Sequence, residues 1–207
     1  MFDRIRIHVR LAQLLVGLSL YGISIAMMVR ANLGLAPWDV LTQGLAPLIG
    51  LSFGLTVNLI GLGVLLLWLP LRQRPGLGTV LNILVIGIVA DIALALIPSP
   101  EAYGSRLALL GFSILLNGVA GGAYMGAGLG PGPRDGLMTG ICKRSGLPVK
   151  LVRTGIEAIV LSVGWGLGGT VGVGTVLYAI CIGWVVHHAL PILAFDKVPR
   201  KLAPITD

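Results

Sequence analysis

The chain has 207 residues, of which 56% are hydrophobic and only 11% charged, with a mean hydropathy of +0.95. Soluble domains carry roughly a quarter charged residues, so this composition excludes an ordinary soluble enzyme, a nucleic-acid-binding domain, a disordered protein and a secreted disulfide scaffold. The net charge of +7 comes from basic residues set between apolar runs, the pattern of membrane loops rather than of a phosphate-binding face, and no nucleic-acid partner is expected.

Six apolar stretches follow in chain order: Leu11–Val29, Phe53–Leu69, Thr79–Ile97, Leu107–Met125, Leu151–Leu167 and Thr175–Leu193. Each is close to the length that crosses a lipid bilayer as a helix. The fifth is the weakest, because Arg153 and Glu157 sit in its first two turns, spaced to pair at i, i+4 or to snorkel. The first stretch follows Arg4, Arg6 and Arg10 in the manner of a signal peptide. Its apolar run is longer than a signal core, however, and it has a counterpart later in the chain.

Self-comparison exposes that counterpart. Arg10-Leu11-Ala12 returns 96 positions later as Arg106-Leu107-Ala108. At the same offset Leu33-Gly34-Leu35-Ala36-Pro37-Trp38-Asp39 returns as Leu129-Gly130-Pro131-Gly132-Pro133-Arg134-Asp135, and Gly76-Leu77-Gly78-Thr79 as Gly172-Val173-Gly174-Thr175. Three spans per half is an odd number, so the second half enters the membrane from the opposite side. The expected fold is an all-α integral membrane protein of six transmembrane helices in two inverted three-helix repeats, residues 1–98 and 99–207, forming one membrane domain. Loop charge orients it. With the N-terminus in the cytoplasm, Arg4, Arg6, Arg10, Arg72, Arg74, Lys143, Arg144, Lys150, Arg153, Lys197, Arg200 and Lys201 fall on or near the cytoplasmic side. Only Arg30 and Arg106 fall outside, with Arg134 set aside, so both termini are expected in the cytoplasm.

One segment per half lies outside the spans: Pro37–Ile49 and Pro133–Ser145. Each follows a Gly-rich turn and opens with Pro, with Asp two residues on, as helix starts do. A helix of about 12 residues rises only about 18 Å, roughly half a membrane. The expectation is a pair of short re-entrant half-helices with N-termini near the midplane. Short interfacial helices are the alternative, but such helices usually carry a strong polar face. Inverted half-helices present free N–H groups and positive dipole ends to the centre, which favours an anion or a carboxylate. The candidate solute-binding residues are Arg134, Asp135, Trp38, Asp39, Gly34, Gly130 and Gly132. The competing role for Arg134 is structural, pairing across the repeats with Asp39 to lock the half-helices together.

Half of the acidic residues, Asp39, Asp91, Asp135 and Glu157, fall inside apolar segments, where charge is costly and usually has a role. Asp91 and His187 occupy equivalent positions and, with Glu157, form a candidate proton relay. The alternative is that they lie solvated near the interfaces. Gly118, Gly122 and Gly126 recur every fourth residue, spacing that lets helices approach within the bundle or at a homodimer face. Trp68 and Trp184 read as interfacial anchors. Cys142 and Cys181 have no ligand spacing and read as packing residues. No catalytic, metal-binding or nucleotide-binding motif is found, so neither an enzyme activity nor a cofactor is expected.

The segments Leu33-Gly-Leu-Ala-Pro-Trp-Asp39 and Gly128-Leu-Gly-Pro-Gly-Pro-Arg-Asp-Gly-Leu-Met-Thr-Gly140 resemble those of the YczE/YitT-like family of small bacterial membrane proteins. The likeness extends over nearly the whole chain and implies a multi-pass protein of the bacterial cytoplasmic membrane. It implies no particular substrate. The function expected from the residues is a transporter or facilitator of a small anionic or carboxylate-bearing solute. A channel of the same architecture and a non-transporting regulatory membrane protein are the alternatives.

Overall fold

The computed structural model describes residues 2–195, with side chains from residue 7 onward. The side chains of Arg4 and Arg6, and Lys197, Arg200 and Lys201, all used in the loop-charge reading, lie outside the described residues. The described residues are all-α: α1 (Phe2–Ala31), α2 (Pro37–Ile49), α3 (Phe53–Leu66), the single turn α4 (Trp68–Leu71), α5 (Leu77–Leu96), α6 (Tyr103–Gly126), α7 (Pro133–Ser145), α8 (Val149–Gly166) and α9 (Val173–Leu193).

Among the described residues, five stretches are long and apolar enough to cross a membrane: Ile7–Ala31, Phe53–Leu71, Leu77–Leu96, Tyr103–Gly126 and Val173–Leu193. Their outward faces are apolar, as lipid requires. Leu55, Leu59, Leu62 and Leu66 on α3, and Leu84, Ile88 and Ile92 on α5, are exposed at helical spacing. The protein is thus a multi-pass membrane protein. The remaining expected span, α8, is not among the five. Its 18 residues include Lys150, Arg153 and Glu157, and Arg153 Nε donates to Glu157 Oε1 at 2.9 Å across one turn.

Local chemistry sets the boundaries. Pro37 and Pro133 open α2 and α7, where a missing N–H costs nothing. Gly50 and Gly146 end them in left-handed conformation, which satisfies the last carbonyls. Thr79 and Thr175 fold back to accept from the N–H groups of Gly76 and Gly172, at 3.1 and 3.3 Å, and so start α5 and α9.

At the centre α1 packs on α6, flanked by α5 against α1 and α9 against α6. The glycines spaced by four on α6 are used inside this bundle. Gly118 lies against Val185, Gly122 against Ala189 and Gly126 against the Leu193 carbonyl, so α9 runs parallel to α6 in close contact. The short helices cross between the halves of the chain: α2 packs on α8, and α7 on α3 and α4 as well as α8. Two backbone hydrogen bonds repeat the exchange. Gly78 N–H donates to Leu129 O at 2.8 Å, and Gly174 N–H to Leu33 O at 2.7 Å. The turns that carry those carbonyls bend at Gly34 (φ +111°) and Gly130 (φ +125°), a backbone region that a side chain would strain.

Candidate functional site

The starts of α2 and α7 meet beside α1 and α6. Trp38 and Asp39 occupy the first turn of α2, and Arg134 and Asp135 that of α7. The Arg134 guanidinium lies over the Trp38 ring, 4.9 Å from its centroid, a favourable cation–π placement. One of its nitrogens is 3.8 Å from Asp39 Oδ1. That is an ion-pair contact longer than a hydrogen bond. Asp39 is 3% exposed and its Oδ1 accepts no hydrogen bond, so Arg134 is the charge that compensates it. Pairing across the two segments is therefore present. Asp135 instead accepts from the Tyr124 hydroxyl at 2.8 Å.

A small cavity of about 80 Å³ borders Arg134. Arg134, Asp135, Gly132, Tyr124, Tyr21 and Asn82 supply its polar wall, and Val57, Ile83 and Ile86 its apolar wall. Gly132 borders it closely: a Cβ there would stand 3.1 Å from Asp135 Oδ2 and 3.2 Å from the Tyr124 hydroxyl. Trp38 and Asp39 contact the guanidinium but do not line the cavity. Gly34 and Gly130 serve the crossed turn contacts and are not on the cavity wall.

A second group of polar side chains continues from this cavity through the bundle. Tyr21 and Tyr124 stack edge to face with centroids 5.9 Å apart. The Tyr178 hydroxyl donates to Asn117 Oδ1 at 3.0 Å, and Asn117 Nδ2 donates to Ser24 Oγ at 2.8 Å. Buried polar groups of this kind are satisfied by one another. None of Tyr21, Asn82, Tyr124, Asn117 and Tyr178 was singled out in the sequence, although a signal exists. At the 96-residue offset Tyr21 exchanges with Asn117, and Asn82 with Tyr178, while Tyr124 stands opposite Met28.

The three expected relay residues have separate partners among the described residues. Asp91 accepts from the Gly54 N–H at 2.7 Å and from the Ser52 hydroxyl, which places it at the N-terminus of α3. His187 stacks on His188, and both are exposed. Glu157 pairs with Arg153. Trp68 is not an interfacial anchor: it is 2% exposed and donates to the Pro133 carbonyl at 2.9 Å. Cys142 and Cys181 are free and half-buried.

Comparison with known proteins agrees with this membrane architecture. An uncharacterized protein of Haemophilus influenzae is 44% identical over 181 residues, covering 87% of this chain and 83% of that protein. The uncharacterized membrane protein YczE of Bacillus subtilis is 36% identical over 172 residues, covering 83% and 80% respectively. The uncharacterized protein YyaS of Bacillus subtilis is 26% identical over 182 residues, covering 86% and 90%. No solved structure matches. Residues 8–190 match the model of DUF6198, a family of unknown function, and the chain belongs to that family.

Proposed function

We propose that the protein is a transporter or facilitator of a small carboxylate-bearing solute, which binds beside Arg134 between the starts of α2 and α7. One observation carries this reading: half-buried Arg134 lines the cavity, and its guanidinium makes only the long contact to Asp39 and the ring contact to Trp38, so most of its donors are unspent. An Arg head offers five N–H donors in a planar fork. Trp38 covers one face, and the Asp39 carboxylate at 3.8 Å supplies charge without a short hydrogen bond. A carboxylate entering the cavity would complete the fork. The N-terminus of α7 adds its dipole in the same direction.

The architecture proposed around this site has six spans in two inverted repeats, with α2 and α7 as re-entrant half-helices. Three observations support it. The bounds of α2 and α7, and the starts of α3 and α8 and of α5 and α9, repeat at the 96-residue offset. The hydrogen bonds from Gly78 to Leu129 and from Gly174 to Leu33 are equivalent under that offset. Finally, α2 and α7 have 13 residues each, about 20 Å of helix against a hydrocarbon core of about 30 Å. The charges on α8 fit a sixth span: Arg153 and Glu157 pair with each other, and Lys150 lies at the helix end, within reach of the interface. With six spans both termini lie on one side of the membrane, and the loop charges make that side the cytoplasm. Asp91, His187 and Glu157 take no part in this reading.

A thermal-stability screen of small carboxylic acids and amino acids on the purified protein tests the site. A binding acid should raise the melting temperature of the wild type, its uncharged amide should not, and Arg134→Lys should abolish the shift. A solute that stabilises the wild type and Arg134→Lys equally would remove Arg134 from the site.

A further inference from the structure

A second cavity lies apart from Arg134, at the end where α4 and α7 finish. It is an open recess of about 680 Å³, lined by Leu69, Pro70, Leu71, Arg72, Gln73, Gly140, Lys143 and Arg144. We propose that this recess binds the phosphate group of an anionic phospholipid, held by Arg72, Lys143 and Arg144.

Charge is the first argument. Three basic side chains converge on one recess and no carboxylate lines it. Among the described residues, none of the three has an acidic partner within ion-pair distance, the pairs there being Arg134–Asp39 and Arg153–Glu157. Three like charges gathered without a counter-ion repel one another, and a bound phosphate would relieve that repulsion.

Geometry is the second. Arg144 is anchored, with Nη1 donating to the Pro70 carbonyl at 2.7 Å, and its other N–H groups remain available. Gly140 lets α7 come close to the turn after α4: a Cβ there would stand 3.0 Å from Gln73 Cγ and from Leu71 Cδ1. Arg72 takes a left-handed conformation (φ +52°), rare for a residue with a side chain, at the point where the helix ends. The recess has the volume of a small-ligand site.

Position selects a lipid as the source of the phosphate. Arg72 follows directly on Leu71, the last residue of the apolar stretch Phe53–Leu71. The recess therefore sits where hydrocarbon gives way to headgroups. Leu66, Leu67 and Leu69 are 60%, 52% and 74% exposed beside it, an apolar track for acyl chains below the basic cluster. Basic recesses at the ends of membrane helices are suited to anionic headgroups.

Native mass spectrometry of the full chain, with added phosphatidylglycerol or phosphatidylcholine, tests this. The wild type should retain one phosphatidylglycerol and discriminate against phosphatidylcholine. Arg72→Gln with Lys143→Gln leaves the Arg144–Pro70 bond in place and should weaken retention about thirty-fold, from about 1 kcal/mol per basic residue. Arg74→Gln removes a nearby charge that does not line the recess, and should retain lipid like the wild type. Three results would overturn the proposal: equal retention of the two lipids by the wild type, equal retention by the double variant, or a loss in Arg74→Gln as large as in the double variant. Displacement of phosphatidylglycerol by inorganic phosphate at matched concentration would assign the recess to free phosphate and also overturn it.

Discussion

Trp68 fills the space that Gly136 leaves empty. A Cβ on Gly136 would overlap the Trp68 ring, and the indole N–H reaches past it to the Pro133 carbonyl at the start of α7. At the equivalent place in the other half the sizes are reversed. Gly164 stands in the position of Trp68, and Val40 in that of Gly136, and here the glycine lies against the backbone of Val40 and Leu41 instead of against a ring. Each short helix is thus held against a helix of the opposite half at a close contact made by a glycine.

Gly136→Ala should therefore destabilise the protein. Overpacking a tight contact costs about 1–3 kcal/mol, and the melting temperature in detergent should fall accordingly. Adding Trp68→Phe, which shortens the ring, should recover part of the loss while giving up the hydrogen bond to Pro133. A Gly136→Ala variant as stable as the wild type would show that α7 is not fixed by this contact.

The pairing of Arg134 with Asp39 makes a second prediction. Asp39 is buried without a hydrogen bond at Oδ1, so Arg134→Ala leaves an uncompensated acid. Breaking such a buried pair costs roughly 3–5 kcal/mol, and the single variant should accumulate poorly in membranes. Arg134→Ala combined with Asp39→Ala should accumulate close to the wild-type level. Failure of the double variant to recover would mean that Arg134 stabilises the fold through Trp38 or another contact.

These residues also show how far sequence reading reaches. The self-match at an offset of 96 marked the short helices because Pro and Gly act locally, and the rule that neighbours on a helix do not face each other pointed Arg134 toward Asp39 rather than Asp135. Trp68 was misread because its socket is the absent side chain of Gly136, 68 positions away, and no local pattern announces a missing atom. The mid-span Tyr and Asn residues escaped notice because polar aromatics in membrane helices usually mark interfaces, and only their exchange between the halves betrays them. Asp91 sits deep in an apolar run, but its partners, Ser52 and Gly54, belong to the start of another helix. For α8, the i, i+4 spacing of Arg153 and Glu157 was legible in the sequence, and the ion pair forms as that spacing predicts.

Asp91 should act as a structural cap. It accepts from Gly54 N–H and the Ser52 hydroxyl, and loss of such a cap costs about 0.5–2 kcal/mol. Asp91→Ala should lower the melting temperature by that measure and leave the pH dependence of any uptake unchanged. A shifted pH profile at unaltered stability would return Asp91 to a proton-handling role.

Topology is open to cysteine labelling in a background lacking Cys142 and Cys181. In intact cells Gln73→Cys, in the turn before α5, should react with a membrane-permeant maleimide and resist an impermeant one. Tyr103→Cys, exposed at the start of α6, should react with both. Labelling of position 73 from outside would contradict the cytoplasmic placement of this turn and of the termini.

The most direct test of the account is counterflow in proteoliposomes, using a carboxylate identified by the stability screen. Vesicles preloaded with the unlabelled acid should accumulate the labelled acid transiently and saturably through the wild-type protein. Arg134→Lys, which keeps the charge but loses the planar fork, should be incorporated normally and lose most of that accumulation. Undiminished counterflow through Arg134→Lys, or uptake by the wild type without saturation or counterflow, would contradict a carboxylate transport site at Arg134.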